Sequence, residues 1–350
     1  MPGAAGLRAI ELSYEGNGPI AEVVDVMTAL RQKLFQLEPQ YRERVWGGQR
    51  LKVHDPPIGE LWGAFDDSRV QTGPHAGQSV GQIANDCGPD FLGRDVVSRF
   101  GRRFPLLIKL LDCAGWLSVQ VHPNDQQAEQ LVGTGQFGKT EAWHFLAVDD
   151  DTSILAGVKP GTTPMALAAA IRTGRVLEVA QRLEVGPGET YLIPAGTLHA
   201  LGPGLLLYEV QQASDTTYRV YDWDRPAGAG RQLHLEESVA VTNPQSTPVR
   251  TPRPALQGTS AARTAQCPFF ALDALQIADS PLLGNEEGRT LSVLTVTAGA
   301  ISVSCGDETV QLGRHDTMLV AGSAGAYQLR AGDEPASVLR ATVPPPSARA

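Results

Sequence analysis

A chain of 350 residues exceeds one ordinary hydrophobic core, so two domains are the natural expectation. Hydrophobic residues make up 42% and charged residues 19%, as in soluble globular proteins. With 29 basic against 38 acidic residues the net charge is −9; this speaks against nucleic acid or an anionic membrane as main partner, and an anionic small molecule would need a local basic pocket.

No apolar run approaches the roughly 20 residues that span a bilayer. Met1 to Ala5 lacks the basic-then-apolar order of a secretory signal. Cys87, Cys113, Cys267 and Cys305 lie far apart with no CxxC pair. Neither a disulfide framework nor a thiolate zinc site is expected, and the cytoplasm is the expected location.

In chain order, Ile20, Val23, Val24, Met27, Leu30, Leu34 and Leu37 recur at spacings of three and four, which predicts an amphipathic helix over 19–37 stopped by Pro39. Helical inserts are expected over about 80–104 and over 164–183, the second opened by Pro164. Short strands are expected at 106–111, 117–122, 141–148, 190–193 and 205–211, with glycine, proline and aspartate turns between them. That density of short strands predicts a jelly roll or closed barrel. The stretch 246–268, rich in proline, serine, threonine and arginine, reads as a linker. Strands return at 291–296, 300–305 and 317–320, and the tail from Pro344 is expected to be disordered. Gly186 to Ile193 lines up with Gly313 to Val320, an offset of 127 residues that suggests a second, degenerate copy of the first barrel.

The sharpest chemical signal is Gly188-Glu-Thr-Tyr-Leu-Ile-Pro194-Ala-Gly196-Thr-Leu-His199, which fits G-x5-P-x-G-x2-H. This pattern resembles the second signature of the cupins, whose fold is a small β-barrel. A glycine turn starts the strand, Pro194 and Gly196 bend it, and His199 is turned inward. Upstream, Gln120 and His122 share one strand face while Val119 and Val121 take the other. Glu141 opens the next strand. Two imidazoles and a carboxylate with open positions suit catalytic Zn²⁺, and the same set would accept Fe²⁺ or Mn²⁺. Gln120 would either ligate the metal or orient substrate. His144 faces away from Glu141 and reads as structural, and His54, His75, His234 and His315 belong to no constellation.

Several motifs in order are similar to the zinc-dependent mannose-6-phosphate isomerases in their shorter bacterial form: Leu117-Ser-Val-Gln-Val-His-Pro-Asn-Asp125, Gly138-Lys-Thr-Glu-Ala-Trp143, Pro194-Ala-Gly-Thr-Leu-His199 and Gln212 to Asp224. Glu43-Arg-Val-Trp-Gly-Gly48 and Gly59-Glu60-Leu-Trp62 add to the likeness, which spans roughly 38–240. The resemblance implies one zinc ion at Gln120, His122, Glu141 and His199, and a basic set at Lys109, Lys139 and Arg219. It further implies reversible conversion of mannose-6-phosphate to fructose-6-phosphate through a zinc-stabilised cis-enediol. A sugar phosphate is then the partner, without nucleic acid or membrane, for a monomer or small homo-oligomer. Read on its own, Lys109 within Leu-Leu-Ile-Lys-Leu-Leu could equally snorkel from a strand end, and Arg219 could pair with Asp222 or Asp224.

The expected fold is therefore mainly β: a cupin or jelly-roll barrel with helical inserts and a second, degenerate cupin-like barrel. Its expected parts are an N-terminal extension (1–40), the metal-binding domain (41–245), the linker (246–268), the second barrel (269–343) and the tail (344–350). Because Ala326 stands 127 residues after His199, no second metal site is expected, and burying one face of the catalytic barrel is the second copy's expected role. Two rivals are an iron-dependent cupin oxygenase using His122, Glu141 and His199, and a non-catalytic sugar-phosphate-binding cupin.

Overall fold

Strand Leu106–Cys113 is buried at every position, and its two faces enter different cores. Leu111 and Cys113 join Phe145 and Leu207 in one core, while Leu106, Ile108 and Leu110 join Ala142, Tyr208 and Val210 in another. Successive side chains on a strand point to opposite faces, so this sheet is sandwiched between two apolar layers. The computed structural model, which describes residues 30–225 and 231–345, shows what those layers are.

The sheet has seven strands, in the order Val249–Thr251, Thr190–Ile193, Glu141–Val148, Leu205–Gln212, Leu106–Cys113, Gln40–Gly48 and Ile58–Ala64. Facing it is a five-stranded sheet ordered Tyr218–Tyr221, Val119–Val121, His199–Leu201, Ser153–Val158 and Ala180–Glu184. Together they form the jelly-roll barrel, closed at its base by Trp143, Phe145, Ile154, Tyr191 and Leu201. Helices Pro164–Arg172 and Leu235–Val241 cover the outside of the five-stranded sheet, where Val119 and Val121 are buried. Pro164 does occupy the first helical turn, behind the Thr163 cap.

The outer face of the seven-stranded sheet rests on a six-stranded sheet that runs from Leu34–Gln36 to Ser260–Gln266. Phe35, Leu272, Val293, Leu319 and Leu339 supply the contact, with helices Val80–Cys87, Pro89–Leu92 and Arg94–Phe100 filling the flank. The first of these helices starts on a capping box between Ser79 and Gln82. A four-stranded sheet closes the second barrel, which is packed solid with Leu275, Leu294, Val303, Met318 and Leu329. The layering is thus four sheets deep.

The repeat appears in three dimensions. Thr190–Ile193 and Thr317–Val320 are both strands, as are His199–Leu201 and Ala326–Ala331 at the same offset. Gly188 and His315, also equivalent, both take positive φ, at 82° and 73°.

Three expectations need correction. The helix expected over 19–37 lies outside the described residues as far as residue 29, and beyond it Leu34–Gln36 is a strand paired with Thr317–Val320. Leu34 and Phe35 are buried in different cores, so burial of both faces overrides the helical spacing. The stretch 246–268 is no plain linker, since Val249–Thr251 pairs with Thr190–Ile193 and Ser260–Gln266 pairs with Ala271–Ile277. Both strands sit at sheet edges, where neighbouring prolines are tolerated. Pro344, placed in the tail, has its carbonyl held by Arg99 at 2.9 Å; residues 346–350 lie outside the described residues.

Candidate metal centre and active site

His199 is the direct cross-strand partner of Gln120, and Gln120 is in turn the partner of Arg219. One row across three strands therefore carries three of the residues singled out from the sequence. In the opposite sheet, Glu141 pairs with Gln211, and Lys109 pairs with both Glu209 and Trp62. These two rows of the seven-stranded sheet face the first row across the barrel.

The signature turn ties the rows together. Gly196, at φ 84°, donates its N–H to the His122 carbonyl at 2.8 Å, and a Cβ there would lie 3.1 Å from the Val241 carbonyl oxygen. Glycine is the residue that meets both demands. The other motifs interlock as well. Asp125 Oδ1 accepts from the Gly138 N–H at 2.7 Å and from Gln212 Nε2 at 2.8 Å, and Gln212 Oε1 accepts from the Thr140 N–H at 2.9 Å. The loop holding Lys139 and Glu141 is thereby fixed against the strand holding Gln211.

His122, Glu141 and His199 converge, each about 1% exposed, with one ligand atom from each lying within 4.8 Å of the others. His122 Nδ1 donates to the Thr216 carbonyl at 3.0 Å, and His199 Nδ1 donates to the Thr197 carbonyl at 2.8 Å. Both rings must therefore turn a lone pair on Nε2 toward Glu141. The separations are 3.4 Å from His122 to Glu141 Oε2 and 3.3 Å from His199 to Glu141 Oε1. These four atoms make up most of the seven buried side-chain polar atoms without a hydrogen-bond partner among the described residues. A cation satisfies all four at once. A tetrahedral ion with ligands at about 2.1 Å separates neighbouring ligands by about 3.4 Å, the spacing seen.

Electrostatics agree. Burial holds His122 well below its ordinary pKa and His199 at about 4, so both rings are neutral and ready to ligate. Burial, reinforced by the charge of Glu209, raises the Glu141 carboxyl to about 8. An ionised Glu141 needs a positive charge nearby, and Lys139 Nζ at 3.6 Å supplies part of it.

In front of the triad opens a cavity of about 490 Å³, lined by Lys109, Gln120, Lys139 and Arg219 among others. Lys109 does not snorkel; its Nζ donates to Glu209 Oε1 at 3.1 Å and Gln211 Oε1 at 2.8 Å, beneath the Trp62 ring. Arg219 does not pair with Asp222, which takes Arg225 and Arg231 instead, nor with Asp224, which accepts from Tyr221. Its guanidinium donates to Ser118 Oγ and the Gln232 carbonyl, leaving it without a carboxylate partner among the described residues. Four lining groups had no role in the sequence reading: Glu60, Glu209, Asp215 and His234. His234, assigned to no constellation, accepts the Arg219 backbone N–H on Nδ1 at 3.2 Å. His144 faces away from the cavity as expected, bonded to Thr190 Oγ1 at 2.8 Å.

The phosphomannose isomerase type I catalytic domain matches residues 34–141. The mannose-6-phosphate isomerase ManA of Bacillus subtilis is 32% identical over 307 residues, covering 83% of this chain and 94% of that protein. The chain belongs to the mannose-6-phosphate isomerase family. A probable mannose-6-phosphate isomerase, GmuF of the same organism, is 40% identical over 229 residues, 62% of this chain and 70% of its own length. The crystal structure of the Bacillus subtilis mannose 6-phosphate isomerase superposes with a TM-score of 0.77 at 27% identity, covering 89% of this chain and 99% of that one. A mannose 6-phosphate isomerase solved with zinc bound, 16% identical, shares the fold with a TM-score of 0.69. The fold is thus that of the isomerase family, and the chain is an isomerase. No helix among the described residues is long and apolar enough to cross a membrane.

Proposed function

We propose that this isomerase interconverts mannose-6-phosphate and fructose-6-phosphate with one zinc ion held by His122, Glu141 and His199, Gln120 completing the set or orienting the sugar. The observation that carries the reading is the convergence of two buried imidazole Nε2 atoms on both oxygens of Glu141, none of the four with a hydrogen-bond partner among the described residues. Bound zinc supplies a Lewis acid for the sugar carbonyl as a proton moves between C1 and C2.

The chain's own groups do the rest. Arg219, free of any carboxylate partner among the described residues, stabilises negative charge as the cis-enediol forms. Lys139, whose ammonium meets Glu141 only at 3.6 Å, captures the charged substrate. Lys109, held by Glu209 and Gln211, forms part of the cavity floor beside Lys139. The cytoplasm suits four cysteines that form no disulfide.

The test is a coupled assay of fructose-6-phosphate formation before and after chelation, followed by zinc add-back. Activity should vanish and return with zinc. A fully zinc-loaded but inactive protein would refute the substrate assignment.

A further inference from the structure

A second cavity, of about 570 Å³, lies on the far side of the seven-stranded sheet, where it meets the six-stranded sheet of the second barrel. Its volume is that of a small-molecule site. No aspartate or glutamate lines it, although the chain as a whole carries −9. Two arginines do, Arg253 and Arg314, and neither side chain has a hydrogen-bond or ion-pair partner among the described residues. Arg253 is placed there by Gly188: a Cβ on Gly188 would come within 2.6 Å of Arg253 Cγ, so the arginine stem lies across that glycine.

Gln276, Thr297, Ser337 and His144 are the other polar side chains of the lining, and His144 is only 8% exposed. Its Nδ1 is engaged by the fully buried Thr190 hydroxyl, and its Nε2 has no partner among the described residues. When Thr190 donates to Nδ1, the neutral ring offers Nε2–H to a ligand. The remaining wall is partly apolar, with Pro187, Pro254, Leu256 and Leu339. Proline rings and leucine side chains pack against a flat body, whereas the two arginine forks suit phosphate oxygens.

We propose that this inter-barrel cavity is a binding site, separate from the catalytic one, for a small organic phosphomonoester with a flat apolar body. Arg253 and Arg314 hold the phosphate, His144 donates to the ligand, and the proline and leucine walls cover the body. A bare phosphate ion would leave most of the volume unfilled.

Isothermal titration calorimetry on the full, zinc-loaded chain tests this with AMP, inorganic phosphate and adenosine as probes. AMP should bind once per chain, more tightly than either fragment, and with the same affinity under saturating mannose-6-phosphate. Arg253→Ala and Arg314→Ala should each weaken AMP by about tenfold, and the double variant by more, while isomerase turnover stays unchanged. Both arginines are exposed, so the variants should fold. The proposal is overturned if AMP gives no binding, if mannose-6-phosphate displaces it, if the arginine variants bind it normally, or if inorganic phosphate binds as tightly. Loss of isomerase activity in the chelation assay would bear on the catalytic reading and leave this result standing.

Discussion

Lys109 Nζ lies 3.1 Å from Glu209 Oε1 inside the barrel, with both side chains 5% exposed. Burial alone would discharge both, yet Glu209 and Glu60 keep the lysine protonated, and Lys109 and Lys139 keep Glu209 ionised. Removing one member strands the other's charge in a dry site. Lys109→Met should therefore destabilise the protein by about 3–5 kcal/mol, and adding Glu209→Gln should restore much of that loss. Denaturant midpoints of the two singles and the double decide it; simple additivity would show that the pair is not coupled.

Metal and charge stabilisation should separate by mutation. His199→Ala should lose bound zinc and activity together, because one of three converging ligand atoms is gone. Arg219→Ala should keep its zinc and lose about 100-fold or more in kcat. Metal content by atomic emission beside steady-state kinetics reads both. Near-normal turnover in Arg219→Ala would remove that residue from the reaction.

Acid should reveal His144. Burial lowers its pKa from 6.5 to about 4 in the folded chain. Between those values the unfolded chain takes up a proton that the folded one refuses, so stability is full above about pH 6.5 and falls as pH drops toward 4. The loss should approach about 3 kcal/mol, given 1.36 kcal/mol for each pKa unit. His144→Gln should remove that part of the pH dependence, which melts of both proteins from pH 7 to 4 would measure. Parallel curves would refute it.

The equivalent turns of the two barrels make opposite demands. Gly188→Ala should cost about 1–2 kcal/mol, since φ of 82° strains an L-residue and the new methyl meets Arg253. His315 already bears that strain at φ 73°, so His315→Gly should be neutral or stabilising by up to about 1 kcal/mol. Thermal melts of the pair provide the comparison.

The metal triad was legible because its geometry is local. Gln120 and His122 share a face through strand alternation, and the Pro194 to His199 turn delivers His199 wherever its strand lies. Lys109 was legible as a charge in apolar company, but its partner was not: Glu209 stands 100 residues away and meets it only through strand pairing. The same signal was available in Leu205–Gln212, where Glu209 and Gln211 interrupt an apolar run on one face. His234 gave no such sign, because its place beside Arg219 depends on how the chain returns to the barrel after residue 225. The strand at Leu34–Gln36 was misread because Leu34 and Phe35 are adjacent yet both buried, a pattern that helical spacing absorbs without conflict.

The doubly buried seven-stranded sheet bears on how this enzyme can be cut or recombined. Lys109 and Glu141 lie on one side of it, and Ile108, Ala142, Tyr208 and Val210 are sealed by the second barrel on the other. A fragment ending near residue 245 would present that apolar face to water and lose the edge strand Val249–Thr251. The catalytic half is thus not a transplantable module, and grafts between relatives should exchange the loops around the cavity while keeping both barrels from one parent.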